Sequence, residues 1–382
     1  MELPDFEINA NSPEDFKNEA FKIVSLLRPE WGSKVNFLHK MFTDGLTNKL
    51  MGVYVKDQPK NMILIRVYGL NSDLMIDRRK EIRNMKLLHR NGCGAQLYAI
   101  FKNGIAYEYQ SGSTLTVQSI CDPEVFPALS TAIAKMHSVK EDLDKNSSAS
   151  SEKKACLWDL LRKFQILVPD GFPNDPEKNS YYKKAIPFTK IELAHEIDRM
   201  EELFLQMGIV ERSKVVFSHN DLMPNNILID FVENLNEDDQ REEDGKERKI
   251  NVSIIDYEYG DWNYREFDIA NHFNEFVGLP HEQTGILDYD RYYPSQDFQT
   301  EWLQIYLMNL EIDSGFKQDL KGLQLQSKVE ELRDLVEKFS PLSNLLWGIW
   351  SLIQAKYSDI DFDYINYAMQ RLTQYKKCSI KS

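Results

Sequence analysis

The sequence predicts an α+β fold with two lobes, a small β-rich lobe first and a large, mostly helical lobe after it. Two observations lead to this prediction. Strand-like apolar segments are concentrated before about residue 110, and helical patterns dominate from Pro123 onward. The chain has 382 residues, which is long enough for a large core divided between two lobes. We place the N-terminal lobe at residues 1–110 and the C-terminal lobe at residues 111–382.

The first predicted element is a helix that starts at Ser12. Serine at the N-cap, proline in the first turn and acidic residues beside the positive end of the helix dipole are typical of a helix start. Apolar residues then recur at helical spacing as far as Leu27, and the sequence Arg28-Pro29 ends the run.

The strands of the first lobe follow this helix. Residues 49–55 are strand-like, and residues 61–68 read NMILIRVY, which indicates a buried strand with Arg66 embedded in it. A charged helix is predicted over about 74–90, and a β-hairpin over 96–109.

The composition indicates a folded globular protein and excludes some classes of partner. Apolar residues make up 42% of the chain and aromatic residues 12%. The net charge of −14 argues against nucleic acid or an anionic membrane surface as the main partner. No apolar run is long enough to span a bilayer and the N-terminus does not resemble a signal peptide, so no membrane insertion is expected. Four scattered cysteines favour reduced thiols and a cytoplasmic protein.

Two polar segments are expected to be flexible loops outside the core. Residues 145–154 are rich in serine, and residues 233–249 carry 8 acidic and 4 basic side chains without an aromatic one. We interpret the second segment as a solvated insertion between two strands, with a partner-binding element as the alternative.

The most informative motif is divided between two short segments. Residues 217–229 read FSHNDLMPNNILI, and residues 255–259 read IDYEY. Asp221 and Asn226 have the spacing of the Asp and Asn in a protein-kinase catalytic loop, and Asp256 corresponds to the metal-binding Asp of the second kinase motif. Phosphoryl transfer needs such a base near the acceptor hydroxyl and oxygen ligands for Mg²⁺. The motifs therefore predict a kinase-like fold and site, although DYE replaces the DFG of protein kinases.

Arg66 is predicted to bind the phosphates of ATP, because it lies in mid-strand where protein kinases place a lysine. A lone arginine in an apolar strand is costly unless it is paired, and Glu81 on the following helix is the expected partner. A purely structural ion pair within the small lobe is the alternative.

Longer blocks resemble the choline/ethanolamine kinase family. Residues 255–276 read IDYEYGDWNYREFDIANHFNEF, which is similar to the family signature IDYEYxxxNYxxxDIxNHFxE. Residues 347–357 read WGIWSLIQAKY and resemble the WGLWxxxQAK helix of the family. The resemblance covers roughly residues 35–375, although the acidic segment is longer than we expect for the family.

The resemblance implies ATP- and Mg²⁺-dependent phosphorylation of the hydroxyl of ethanolamine, the first step of phosphatidylethanolamine synthesis from free ethanolamine. Ethanolamine is preferred because stretches such as residues 67–71 and 271–276 resemble enzymes acting on it; choline kinase or dual activity is the alternative. A more distant alternative is an aminoglycoside phosphotransferase, which should lack the tryptophan helix. A pseudokinase scaffold is disfavoured because Asp221, Asn226 and Asp256 are all present.

The resemblance also gives roles to individual residues. Asp221 is expected to orient or deprotonate the hydroxyl, and Asn226 and Asp256 to bind Mg²⁺. The nucleotide is expected to contact a set of residues in the first lobe, with the last two acting through their backbone at the hinge: Asn48, Arg66, Glu81, Glu108 and Tyr109.

Two tryptophans of the 347–357 helix are expected to contribute to an aromatic cage for the substrate cation. The cage comprises Trp347, Trp350, Tyr259 and Tyr367, and Glu275 supplies a carboxylate for the ammonium. On spacing alone, Trp347, Trp350 and Gln354 indicate core packing of one helix face. Away from the cage, we expect Asp268 to brace the catalytic loop rather than to touch the substrate. We expect His219 to hydrogen-bond the loop, with a proton carrier as the alternative. The expected partners are the amino alcohol and ATP, and a homodimer is left open.

Overall fold

The computed structural model describes nine stretches of the chain: residues 1–32, 36–42, 49–56, 58–69, 75–141, 153–232, 249–278, 285–310 and 321–379. The chain divides into two compact units. Unit 1 comprises Met1–Ser113 with two later returns of the chain, Leu228–Asp230 and Ser253–Glu258. Unit 2 comprises Thr114–Ile227, Phe231–Val252 and Tyr259–Ser382. The predicted order, a β-rich part followed by a mostly helical part, is confirmed.

Unit 1 is built on a six-stranded sheet of order β1-β5-β6-β4-β3-β2, in which β1 pairs with β5 in parallel and the other neighbouring strands pair antiparallel. Helix α1 (Pro13–Leu27) covers the sheet with buried residues such as Ile23 and Val24, which share one core cluster with Val53 and Ile65. The strands are β1 (Glu2–Leu3), β2 (Phe37–Phe42), β3 (Lys49–Val55), β4 (Ile63–Val67), β5 (Leu97–Phe101) and β6 (Gly104–Glu108).

The two α-helices in the described part of unit 1 begin at capped positions. In α1 (Pro13–Leu27), Ser12 Oγ accepts a hydrogen bond from the Asp15 amide at 3.1 Å, as the sequence predicted. Helix α2 spans Arg78–Arg90 and therefore starts later than the predicted position near 74. The reason is that the Asp77 carboxylate accepts hydrogen bonds from the first-turn amides of α2, which fixes the N-terminus there.

The predicted strands of unit 1 agree with the structure except at their ends. Strand β3 has the predicted bounds, and β5 and β6 form the predicted hairpin. Strand β4 is shorter than residues 61–68, because a 3₁₀ turn at Pro59–Asn61 precedes it. Strands β1 and β2 were not predicted.

The two returns of the chain are tied into unit 1 by hydrogen bonds. Ser111 Oγ donates to Asp230 Oδ2 at 2.9 Å, and Ser253 Oγ donates to Gln110 Oε1 at 3.2 Å. Unit 1 is consequently discontinuous in sequence.

Unit 2 is mostly helical, and α11 is its longest helix at 36 residues. Helix α11 packs against α8, α10 and α12 and buries most of its second half. The helices are α3 (Phe126–His137), α4 (Leu157–Leu167), α5 (Pro176–Ala185), α6 (Lys190–Gln206), α7 (Ile209–Arg212), α8 (Arg265–Asn274), α9 (Tyr289–Tyr292), α10 (Gln296–Asn309), α11 (Gly322–Tyr357) and α12 (Tyr364–Cys378).

Two small sheets carry the motif segments. Strands β8 (Val215–Ser218) and β11 (Asp261–Tyr264) pair antiparallel, with Phe217 opposite Trp262. Strands β7 (Ser113–Thr114), β9 (Ile227–Val232) and β10 (Lys249–Ile254) form a sheet of order β10-β9-β7. The loop that carries Asp221 therefore begins where β8 ends.

Residues 145–152 and 233–248, which make up most of the two polar segments, lie outside the described residues. Within the described part of the chain, none of the helices combines the length and the apolar character needed to cross a bilayer.

Candidate active site

The loop after β8 holds Asp221 and Asn226 in direct contact. Asn226 Nδ2 donates to the Asp221 main-chain oxygen at 2.9 Å and to its Oδ2 at 3.0 Å. A 3₁₀ turn over Pro224–Asn226 brings the two residues together across the intervening positions. Because the amide nitrogen is directed at Asp221, the Asn226 Oδ1 is the atom that remains to accept from a donor or bind a cation.

Asp268, on α8, braces this loop through hydrogen bonds to its backbone. Its carboxylate accepts from the amides of His219 at 2.9 Å and Asn220 at 2.7 Å, and from His137 Nε2 at 2.9 Å. Burial alone would raise the pKa of Asp268, but the hydrogen bonds and charges of His137 and His219 together outweigh it, and the pKa lies below its ordinary value. The predicted bracing role of Asp268 is confirmed by these contacts.

Asn220 links the catalytic loop to the strand that follows Tyr259. Its φ is +67°, in the left-handed region that asparagine tolerates better than most residues other than glycine. Asn220 Nδ2 donates to the main-chain oxygen of Tyr259 at 2.9 Å, and Asn220 Oδ1 accepts from Asn263 Nδ2 at 2.7 Å. Sequence reasoning missed this role; an asparagine beside a functional aspartate in a tight loop was the available signal. The Asp221 amide donates to His219 Nδ1 at 3.2 Å, which is the kind of loop hydrogen bond predicted for that histidine.

In unit 1, Arg66 lies at the centre of a charged group. Its Nη2 forms an ion pair with Glu81 Oε1, which confirms the predicted partner, and its Nη1 lies 3.4 Å from Asp256 Oδ1. Burial alone would lower the pKa of the Arg66 guanidinium, but the nearby negative charges, Glu81 first and Asp256 among the others, raise the pKa above its usual value. Arg78 adds a second contact to Glu81 at 3.0 Å, so that this carboxylate is shared by two arginines.

Asp256 and Glu258 of the second motif have different environments. Asp256 has a φ of +62° and a side chain that is 39% exposed, so its carboxylate is accessible. The Glu258 side chain is only 10% exposed, and this partial burial, together with the Asp256 charge, raises the pKa of Glu258 to about 8. Of the two, Asp256 is therefore the carboxylate suited to binding a cation.

The predicted hinge residues use their amide groups within unit 1. The backbone amide of Glu108 donates to the main-chain oxygen of Gln96 at 2.9 Å, and that of Tyr109 donates to the main-chain oxygen of Met62 at 3.2 Å. Recognition of adenine by these two residues would therefore use their carbonyl oxygens. Asn48, predicted to cover the phosphates, lies outside the described residues.

Three of the four predicted cage rings lie together in unit 2. The Tyr259 and Trp347 centroids are 5.6 Å apart, those of Trp347 and Trp350 are 5.5 Å apart, and Trp350 Nε1 donates to the Tyr259 hydroxyl at 2.8 Å. Trp347 is mostly buried, and its Nε1 donates to Asn271 Oδ1 at 2.6 Å. The indole and phenol polar atoms are thus used to fix the rings.

Tyr367 is connected to this group through other aromatic residues. Its ring contacts Phe362 at 6.0 Å, Phe362 contacts Tyr364 at 4.8 Å, and Tyr364 contacts Trp350 at 6.1 Å. Glu275, the predicted partner of the ammonium, is buried and forms an ion pair with Arg371 at 2.5 Å. Arg371 was not predicted.

Comparison with known proteins agrees with this geometry. Residues 39–376 match the family described as choline/ethanolamine kinase. Mouse ethanolamine kinase 1 is 34% identical over 378 residues, covering 98% of this chain and 93% of the mouse protein. The chain belongs to the choline/ethanolamine kinase family. An ethanolamine kinase of Drosophila melanogaster is 36% identical over 316 residues, which cover 82% of this chain and 54% of the fly protein.

Two solved structures of the choline/ethanolamine kinase family share the fold. An ethanolamine kinase of Plasmodium vivax superposes with a TM-score of 0.70 at 24% identity, covering 96% of this chain and 89% of that one. A choline kinase of Cryptosporidium parvum gives 0.71 at 23% identity, covering 94% of both chains. The predicted kinase-like fold is thereby confirmed.

Proposed function

We propose that this chain is an ethanolamine kinase, which transfers the γ-phosphoryl group of ATP to the hydroxyl of ethanolamine and yields phosphoethanolamine and ADP. The observation that carries the proposal is the contact between Asp221 and Asn226, at the spacing that phosphoryl transfer uses. The family and the ethanolamine kinases at about 34% identity over nearly the whole chain support the choice of substrate.

In this proposal Asp221 orients the hydroxyl of the amino alcohol and accepts its proton. The two hydrogen bonds from Asn226 and the brace from Asp268 through His219 and Asn220 hold the loop in one conformation. Catalysis then consists mainly of positioning and electrostatic stabilisation by groups that are ordered beforehand.

Arg66 is proposed to bind phosphate oxygens of ATP, with Glu81 fixing the guanidinium. Asn226 Oδ1 and the accessible Asp256 carboxylate are hard oxygen donors that suit Mg²⁺. Among the described residues, no group of three or more His, Cys, Asp or Glu side chains could hold a metal ion alone. In proteins, Mg²⁺ is usually held by one or two carboxylates together with substrate phosphates. When bound, Mg²⁺ offsets negative charge on those phosphates.

Tyr259, Trp347, Trp350 and Tyr367 are proposed to surround the substrate ammonium, with Glu275 as its carboxylate partner. Cation–π attraction favours any ammonium, whereas Glu275 favours one that carries N–H groups. The four scattered cysteines support a cytoplasmic location. The reaction would then supply phosphoethanolamine for phosphatidylethanolamine synthesis, and a homodimer stays a prediction.

The decisive experiment compares turnover of ethanolamine and choline at matched ATP and Mg²⁺, with Asp221→Asn as the inactive control. We expect ADP release that depends on ethanolamine and a higher kcat/KM for ethanolamine than for choline. A preference for choline would overturn the proposed substrate. Nucleotide binding without turnover of either amine would indicate a pseudokinase.

A further inference from the structure

A fully buried arginine, Arg371 on α12, forms the centre of a polar cluster that includes two of the proposed substrate-binding residues, although the proposed reaction gives Arg371 itself no role. We define the Arg371 cluster as the five side chains joined by its hydrogen bonds: Arg371, Glu275, Tyr367, Tyr289 and Asn344. All five residues belong to unit 2, and they come from four separate segments of the chain.

The five N–H groups of the Arg371 guanidinium match the five contacts observed. Nη2 donates to Glu275 Oε1 at 2.5 Å and to the Tyr367 hydroxyl at 2.7 Å, and Nε donates to the same hydroxyl at 2.9 Å. Nη1 lies 3.1 Å from the Tyr289 hydroxyl and 3.3 Å from Asn344 Oδ1. Arg371 is therefore satisfied by the protein and has no donor left for a ligand.

These contacts determine which acceptors remain for a substrate ammonium. A tyrosine hydroxyl has two acceptor lone pairs, and both of those on Tyr367 face donors of Arg371. Tyr367 is thus left to contribute its ring. Glu275 Oε1 is also used, whereas Glu275 Oε2 has no hydrogen-bond partner in the described part of the chain, on a side chain that is only 5% exposed.

We propose that Arg371 is a positioning residue that determines which substrate the site prefers. Arg371 directs Glu275 Oε2 towards the substrate ammonium and offsets the negative charge of the Glu275 carboxylate. The site therefore favours an ammonium with N–H donors over other cations. This inference rests on the proposed function. A carboxylate beside a guanidinium attracts a distant cation weakly, because the two charges offset each other. A short N–H···O bond to Oε2 remains available, and such charge-assisted bonds are strong.

A second effect supports the same assignment. Burial raises the pKa of Glu275, and Arg371 is the group that opposes this increase. In the described part of the chain, the titratable groups that face Glu275 from other elements are Arg371 and Tyr367 of α12 and Tyr289 of α9. Replacing Arg371 with a neutral residue should therefore push Glu275 towards its protonated form, which cannot act as an anionic acceptor.

The test is a substrate series in which N–H donors are removed one at a time. Ethanolamine, N-methylethanolamine, N,N-dimethylethanolamine and choline carry three, two, one and no ammonium N–H groups, while the positive charge stays constant. We would measure kcat/KM for each amine, and KM for ATP, in the wild type and in Arg371→Lys, Arg371→Met, Glu275→Gln and the double variant Arg371→Met/Glu275→Gln. Arg265→Lys is the matched control, because Arg265 is also buried in unit 2 and ion-paired, at 2.6 Å with Glu266.

We expect Arg371→Met and Glu275→Gln each to lower kcat/KM for ethanolamine roughly 10- to 150-fold, the range of a hydrogen bond to a charged group. The loss should shrink along the series and fall below about threefold for choline, with KM for ATP unchanged. The double variant should lose little more than either single one. In Arg371→Met the acidic limb of the ethanolamine pH profile should move to higher pH, and it should be absent from the double variant. Arg265→Lys should affect all four amines equally.

Equal losses across the four amines, or losses that multiply in the double variant, would overturn the inference. If Arg371→Met does not fold, Arg371→Lys takes its place as the test. Lysine keeps the positive charge but not the planar array of donors, so the preference for ethanolamine over choline should still fall. If neither folds, an equal effect of Glu275→Gln on ethanolamine and choline counts against the inference. A wild type that phosphorylates none of the amines refutes the proposed function itself, whereas Arg371 variants with unchanged selectivity refute only the role of Arg371.

Discussion

Acidification should destabilise the fold through His272, a buried histidine of α8. His272 Nδ1 lies 3.0 Å from the main-chain oxygen of Leu222, which is the residue after Asp221. The His272 ring packs against Phe276 and Trp302 at centroid distances of 5.1 and 5.7 Å. Nε2 is buried without a partner among the described residues. Burial lowers the pKa of His272 to about 4, because an apolar environment disfavours the charged ring.

The direction of the effect follows from proton binding in the two states. An unfolded histidine has a pKa of about 6.5, so between about pH 6.5 and 4 the unfolded state binds a proton that the folded state does not. The free energy of unfolding therefore falls as the pH falls through this window. One pKa unit corresponds to about 1.4 kcal/mol, so that acidification from pH 7.5 to 4.5 should remove about 2.5 kcal/mol through this residue.

The assay is urea unfolding of the wild type and of His272→Asn at several pH values from 7.5 to 4.5. Asparagine keeps an N–H donor for the Leu222 oxygen but does not titrate. The difference in unfolding free energy between the two proteins should shrink by about 2.5 kcal/mol as the pH falls, since the contributions of other groups cancel. His39→Asn removes an exposed histidine as the matched control. A difference that stays constant over this range would refute the reasoning.

Three further predictions concern the proposed chemistry. Asp221→Asn keeps the size of the side chain but removes the charge that accepts the proton, so kcat should fall roughly 10²- to 10⁴-fold while ATP still binds; near-normal turnover would contradict the role of Asp221. Asp256→Asn should raise the Mg²⁺ concentration needed for nucleotide binding, measured by titrating Mg²⁺ at fixed ATP, and an unchanged titration would remove Asp256 as a ligand. Trp350→Ala should raise KM for ethanolamine on the order of thirtyfold, the value of a desolvated cation–π contact, with little change in nucleotide affinity. A shift of the KM for ATP instead would argue against the cage.

Local sequence signals were sufficient for much of the fold and for the catalytic loop. The cap at Ser12 and the apolar pattern after it located α1, and the bounds of β3 followed from a short apolar run. The spacing of Asp221 and Asn226 located the loop, because their contact is formed within five positions of the chain. Such features depend on neighbours in sequence, and pattern reasoning detects them.

The features that were missed depend on contacts between distant positions. Arg371 lies in a helix with polar neighbours and reads as a surface residue, yet its partners Glu275 and Tyr289 are 96 and 82 positions away. The pair of His137 and Asp268 spans 131 positions. Strand β1 has only two residues and is defined by its pairing with β5, so its own sequence contains too little pattern to reveal it.

The discontinuity of unit 1 has a consequence for the order of events during synthesis. Most of this unit has been translated once Ser113 is added, but its last segment ends at Glu258. At about 5–20 residues per second, the ribosome needs roughly 7 to 30 s to make the intervening chain. During that interval the nascent sheet lacks Asp256, the carboxylate near Arg66, and the serine contacts that tie in the returning segments. Completion of unit 1 must therefore wait until Glu258 has been added.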